Sequence, residues 1–283
     1  MSFIPTTCYV PVGNTGPNGG DLYDSTRLAA AEWYEDGQHG GVVSALITHT
    51  VERSPSLTPM EVARITVELF RVVPVTRLEA VVERVREGKK VQTSEVRLYA
   101  GDLELARGLV QRLRVTKLDL PPEVDDPIRK PAAPDTVPVR PLGEVMPFPD
   151  LGQVTFGRNA VEIAEVVGTY AEPGPATVWM RFTKPLVEGE EMSPAQRAVL
   201  AADFSNGLSR YTDGAEWVFM NSDLSVHLAR HPCGEWVALD SESIWNRDGR
   251  GVATSHLFDE RGPIGRSTQT LFIDAGPSRR AAT

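Results

Sequence analysis

Two stretches decide the fold: ITVELFRVVP, from Ile65 to Pro74, and DLSVHLARHP, from Asp223 to Pro232. Each alternates apolar and polar residues, the period of a strand with one face buried, and each runs to a proline that cannot donate to a sheet ladder. The chain then continues in parallel ways, as RLEAVVERVREGKKVQTSEVRLYAGDLELARGLVQRL from Arg77 and as EWVALDSESIWNRDGRGVATSHLFDERGPIGRSTQTLFI from Glu235. In both, a second strand ends in a charged turn with glycine, Glu87-Gly88 or Asp248-Gly249, and two more strands follow across a short turn. The offset stays at about 160 residues, which suggests one duplicated unit rather than a short solenoid repeat. Alternation and turn residues are common to all antiparallel sheets, so two unrelated β-meanders are the competing reading.

What precedes each meander is also shared. Gly40-Gly41 opens VVSALITHTVER, where Val43, Leu46, Ile47 and Thr50 recur at helical spacing and predict a buried helix. In the second half Ser193 is placed to cap a helix with Pro194 at its first position, PAQRAVLAADFSNGLSR, whose face of Val199, Ala202, Phe204 and Leu208 is apolar. Each unit therefore reads as a strand or two, a central helix, and a meander of four strands: an α+β unit in which a curled antiparallel sheet wraps around its own helix.

Between Lys117 and Pro149 nine prolines interrupt any helix or central strand, with Asp125, Asp126 and Asp135 adding charge. Such a stretch is extended and stiff, the expected connector between two packed bodies. The expected division is an N-terminal unit over 1–116, a proline-rich linker over 117–150 and a C-terminal unit over 151–283.

The 283 residues suffice for a substantial core, with 41% apolar and 24% charged residues. No apolar run approaches a membrane span, so a soluble chain is expected, with no membrane partner. A formal charge of −9 disfavours nucleic acid. The two cysteines, Cys8 and Cys233, are too few for a disulfide framework or a thiolate metal site, and a reducing cytoplasm fits them.

The tandem of helix-in-curled-sheet units resembles the double hotdog proteins of the acyl-CoA thioesterase II family and its thioesterase-like relatives. The resemblance is carried by HGGVVSALITHTVER, VELFRVVPV and VREGKKVQTSEVRLYAGDLELARG in the first half. In the second it is carried by LAADFSNGLSR, NSDLSVHLARHP and DGRGVATSHLFDERGPIGRSTQTL. It implies a tandem hotdog fold and a hydrolytic site in the second unit, made of an aspartate on the central helix, a threonine on the next strand and a glutamine on the last. Asp203 and Gln269 occupy the aspartate and glutamine positions, while Asn221 stands where threonine is expected. An asparagine amide can still hold a water as donor or acceptor. The resemblance further implies that the two central helices lie side by side.

Thioester hydrolysis needs a water, a group that accepts or orients its proton, and donors for the oxyanion. Asp203, among Leu200, Ala201, Ala202 and Phe204, is expected to be part-buried in mid-helix; a solvent-facing or capping role is the alternative from residue types alone. Gln269 shares a strand face with Leu271 and Ile273, which marks a core edge or a site. Gly40 and Gly41 offer unpaired N–H groups at a helix start, the expected binding place for the substrate carbonyl, or a plain helix-start turn.

Other constellations fail: no G-x-S-x-G elbow occurs, and the glycine-rich Gly13–Gly20 segment lacks a phosphate loop's lysine and spacing. His227 and His231 lie in a strand-like stretch without a third ligand, so no metal and no cofactor is expected. The expected function is hydrolysis of an acyl-CoA by activated water, by a monomer or homodimer. A non-catalytic acyl-CoA or acyl-chain binder is the alternative. A hydratase or dehydratase would want a histidine and an aspartate in one site, and His39 is the one histidine close to a candidate helix start.

Overall fold

The computed structural model describes residues 4–34, 36–125, 130–147, 152–212 and 216–276. Asp126 and Pro149 of the expected linker lie outside the described residues. The first half contains strands β1 (Tyr9–Thr15) and β2 (Asp21–Ser25), helix α1 (Gly40–Arg53), and the meander β3 (Met60–Leu69), β4 (Arg77–Arg86), β5 (Val91–Ala100) and β6 (Leu103–Arg114). The second half contains β7 (Val139–Pro141), helix α2 (Phe156–Ala160), β8 (Val161–Val167), β9 (Ala176–Phe182), α3 (Pro194–Ala202) and α4 (Ser205–Leu208). It ends with β10 (Trp217–Asn221), β11 (Asp223–Leu228), β12 (Val237–Trp245), β13 (Arg250–Asp259) and β14 (Gly262–Ala275).

All strands join one antiparallel sheet in the order β1-β2-β4-β5-β6-β3-β11-β14-β13-β12-β9-β8-β7, with β10 pairing beside β11 on β14. The order reads alike outward from its centre: β3-β6-β5-β4-β2-β1 one way, β11-β14-β13-β12-β9-β8 the other. The duplication inferred from sequence is therefore a duplication of topology. Its centre is the β3–β11 pairing, where Thr66 faces Ser225, flanked by Glu68 opposite Asp223 and Arg64 opposite His227.

Alternation sets which face is buried. Along β5 Gln92, Ser94, Val96 and Leu98 point inward, and along β14 Ser267, Gln269, Leu271 and Ile273 do. Helix α1 is buried from Gly41 to Val51, deeper than a single apolar stripe requires, because it packs on α3 as well as on the strands. One core cluster includes Leu46 and Ile47 of α1, Val199 and Leu200 of α3, Val96 of β5 and Leu239 of β12, so the two halves share their hydrophobic interior. Sharing removes far more apolar surface from water than either half could alone.

Part of the proline-rich segment packs on the second half. Val139–Pro141 pairs with β8, and the Trp179 indole donates to Ala132 O at 2.7 Å.

Candidate active site

The predicted second helix is not continuous. Helix α3 begins as expected: Ser193 Oγ accepts from Gln196 N, and the Gln196 side chain returns to Ser193 N–H. It stops at Ala202, and Asp203 stands at its C-cap rather than in mid-helix. Two side chains divert the ladder there. The Gly207 N–H, which would continue the ladder to Asp203 O, is taken by Asn206 Oδ1 at 2.8 Å, and Asp203 O accepts instead from Gln269 Nε2 at 3.2 Å. The break turns the Asp203 side chain toward the start of α1, where it is only 4% exposed.

Three donors and the His39 ring surround this carboxylate. Oδ1 accepts from Asn221 Nδ2 at 2.8 Å and from Gln269 Nε2 at 3.1 Å. Oδ2 accepts from Gly41 N–H at 2.5 Å and lies 3.1 Å from His39 Nδ1. The three residues expected from sequence thus converge, although Asn221 ends β10, Gln269 lies in β14 and Asp203 closes α3. Gln269 is fully buried and used at both ends, since its Oε1 accepts from Asn206 N–H at 3.2 Å.

The glycine pair acts sterically as well as electrically. A Cβ on Gly40 would stand 2.9 Å from Asp203 Oδ2, and one on Gly41 would stand 3.0 Å from both Leu200 O and Asp203 Cβ. Only glycine lets the α1 N-terminus come this close to the end of α3. The Gly41 N–H is committed to the carboxylate, whereas Gly40 N–H has no partner among the described residues.

Sequence reading did not place His39 in this cluster. It caps α1, is 1% exposed, and its ring lies among Phe204, Trp33 and Phe156 at centroid distances of 4.5, 5.5 and 5.7 Å. Burial pushes its imidazole pKa down, but the Asp203 hydrogen bond and charge, with the Glu32 charge behind them, outweigh this and leave it raised above 6.5. The available signal was a polar residue directly before two glycines and an apolar helix. Nearest the cluster, Trp33 is 46% exposed and Tyr34, Met220 and Asn221 are partly exposed, with Tyr34 Oη donating to Met220 Sδ. Two clefts, of about 170 Å³ near Lys130 and Phe258 and about 200 Å³ near Tyr23 and Glu190, have no lining residue from the cluster.

The duplicated fold contains a corresponding second place, built differently. Glu52 in the last turn of α1 faces the start of α3, accepting from Ser193 Oγ at 2.8 Å and Gln196 Nε2 at 2.8 Å. There Pro194 removes one N–H and the capping box occupies others, so that helix end is closed to a ligand. Thr66 pairs with Leu109 and Ser225 with Thr268, so the next residues, Val110 and Gln269, hold equivalent positions. Valine offers no donor where glutamine does.

The architecture is a tandem hotdog, and comparison with solved structures agrees. The chain is similar to a protein of unknown function with a hot dog fold from Alicyclobacillus acidocaldarius, at TM-score 0.69 and 12% identity over 93% of this chain and 96% of that one. It is also similar to the acyl-CoA thioesterase II TesB2 from Mycobacterium marinum, at TM-score 0.63 and 15% identity over 90% and 92% of the two chains. The Mycobacterium avium subspecies paratuberculosis tesB protein matches at TM-score 0.63 and 13% identity, over 84% and 88%. No curated protein sequence matches significantly. Residues 29–113 match the acyl-CoA thioesterase N-terminal domain and residues 132–273 the acyl-CoA thioesterase C-terminal domain. The chain belongs to the acyl-CoA thioesterase family. No helix among its described residues is long and apolar enough to cross a membrane.

Proposed function

We propose that the protein hydrolyses the thioester of a fatty acyl-CoA, releasing the free acid and coenzyme A, with water as the nucleophile. One observation carries this reading: in a member of the acyl-CoA thioesterase family, Asn221, Gln269 and the first turn of α1 all meet the buried Asp203 carboxylate. The thioester carbonyl lies at the start of α1, where Gly40 N–H is the donor for the developing oxyanion. One such donor is worth about 100- to 1000-fold in rate. Gly41 N–H serves the carboxylate instead. Water attacks the carbonyl carbon beside the cluster, with Asn221 at the accessible rim and Gln269 fixing Asp203. Attack forms the carbon–oxygen bond, and collapse of the tetrahedral intermediate expels the coenzyme A sulfur.

The test is thiol release by the purified protein from acyl-CoAs of graded chain length. Release that vanishes in Asp203→Ala supports the reading; a wild type that releases nothing from any of them removes it. Asn221 in the threonine position favours the binder as second reading: there, an acyl-CoA raises the melting temperature and survives overnight incubation intact. The His39–Asp203 pair makes 2-enoyl-CoA a necessary member of the panel, since hydration without thiol release would select a hydratase.

A further inference from the structure

We propose that His39 is the general base of this site, taking the proton of the attacking water on Nε2 while Asp203 holds the ring through Nδ1. The inference rests on the hydrolase reading above and deepens it.

The argument begins with the acceptor capacity of a carboxylate, which offers about four lone-pair positions on its two oxygens. At Asp203 three donors meet them, Asn221 Nδ2 and Gln269 Nε2 on Oδ1 and Gly41 N–H on Oδ2, and His39 Nδ1 stands 3.1 Å from Oδ2 beside the fourth position. A carboxylate so saturated has no position left for a proton from water. It is built to stay charged and to orient its neighbours.

The position of the His39 proton follows from the same distances. Nδ1 lies 3.1 Å from Gly41 N and 3.1 Å from Asp203 Oδ2. If Nδ1 were bare, it could accept from Gly41 N–H, but its lone pair would then face a carboxylate oxygen. Gly41 N–H already has a shorter bond to Oδ2, at 2.5 Å. Placing the proton on Nδ1 gives up the longer contact from Gly41 N–H, which keeps its shorter bond to Oδ2, and turns a donor rather than a lone pair toward the carboxylate. Nε2 then carries the free lone pair, and no hydrogen bond to it is found among the described residues.

The charges facing the ring favour its taking up a second proton. Asp203 approaches from the end of α3, and Glu32 from the segment before α1, where its Oε1 accepts from Gly157 N–H at 2.8 Å and its buried Oε2 has no hydrogen-bond partner. The buried Phe204 and Phe156 contribute no charge and lower the polarity on their side of the ring, which strengthens these interactions, while the exposed Trp33 borders its other side. In the reaction, the water O–H bond breaks toward Nε2 as the carbon–oxygen bond forms. The resulting imidazolium returns that proton to the departing sulfur as the carbon–sulfur bond breaks, so coenzyme A leaves as the thiol and His39 is neutral again.

The test uses the full chain with His39→Asn. Asparagine can still cap α1 and donate an amide hydrogen to Asp203, but it has no titrating nitrogen. The expected result is a native melting profile, a little-changed KM, and kcat lower by at least about 100-fold. The acidic limb of the wild-type pH–rate profile, with its midpoint above 6.5, should also disappear. A His39→Asn protein within about threefold of wild-type kcat, with the same profile, overturns the proposal. Nitrogen NMR of the wild-type imidazole provides a readout independent of turnover: a neutral ring protonated on Nδ1 supports the dyad, and one protonated on Nε2 overturns it. An inactive wild type sinks the hydrolase reading, whereas an active wild type with an unaffected His39→Asn variant sinks only the role of His39.

Discussion

The Gly41 N–H donates to Asp203 Oδ2 at 2.5 Å, although 162 positions separate the two residues in sequence. One belongs to the first turn of α1 and the other to the cap of α3, so the bond ties the two halves together at the carboxylate. It also places the positive end of the α1 dipole against a negative charge, a favourable arrangement in a site with little water.

Asp203→Asn keeps the size of the side chain but removes its charge and replaces one acceptor with a donor. Gly41 N–H and the Asn221 and Gln269 amides then cannot all be satisfied. The expected outcome is loss of at least about 100-fold in kcat with a cooperative fold retained, checked by thiol release and a melting curve.

In an exposed helix interior alanine is favoured over glycine by about 1 kcal/mol. At Gly41 the sign should reverse, because the new Cβ meets Leu200 O and Asp203 Cβ at 3.0 Å. Gly41→Ala is expected to cost about 1–3 kcal/mol in urea unfolding, together with most of the activity. A stabilised Gly41→Ala protein would contradict the close approach of the two helix ends.

Gln269→Leu preserves approximate bulk in a fully buried position but strands Asn206 N–H and Asp203 O. Each loses its partner in a dry environment. Destabilisation of about 1–3 kcal/mol is expected, with activity falling further than the folded fraction does.

Asn221→Thr restores the residue type that the family resemblance implies. A threonine hydroxyl can donate to Asp203 Oδ1 as the Asn221 amide does, so the variant should keep kcat within about tenfold of wild type. Asn221→Leu removes the donor and should cost much more; equal activity of the two variants would exclude a polar role at this position.

Glu52 supplies a pH prediction. Burial raises its carboxyl pKa above the ordinary 4.5, and the Ser193 and Gln196 hydrogen bonds offset this only in part. An acid with a raised pKa in the fold contributes stability that is complete below about 4.5 and is lost as pH rises through the folded value. Glu52→Gln should therefore gain stability relative to wild type between pH 4 and pH 7. Urea midpoints of both proteins across that range check the sign.

Much of the fold was legible because it rests on local rules. Period-two alternation marks β3 to β6 and β11 to β14, and Ser193-Pro194 marks a helix start. The connector was less legible. Val139–Pro141 lies among prolines, yet it pairs with β8 as the last strand of its sheet, where missing donors are tolerated. The helix break at Asp203 was not legible, because the groups that cause it are the Asn206 side chain and a glutamine 66 positions away.

The sequence by itself determined that there are two copies of one unit, which strands alternate, and that Asp203, Asn221 and Gln269 were the residues to watch. The repeat and the alternation depend on spacing along the chain, and the choice of the three residues on the family resemblance. Only the tertiary structure decided that Asp203 ends its helix, that Gly41 is bound to it, and that the His39 ring lies 3.1 Å from its carboxylate. Each of these depends on the β3–β11 pairing and the α1–α3 packing, which set distances between residues that no local periodicity relates.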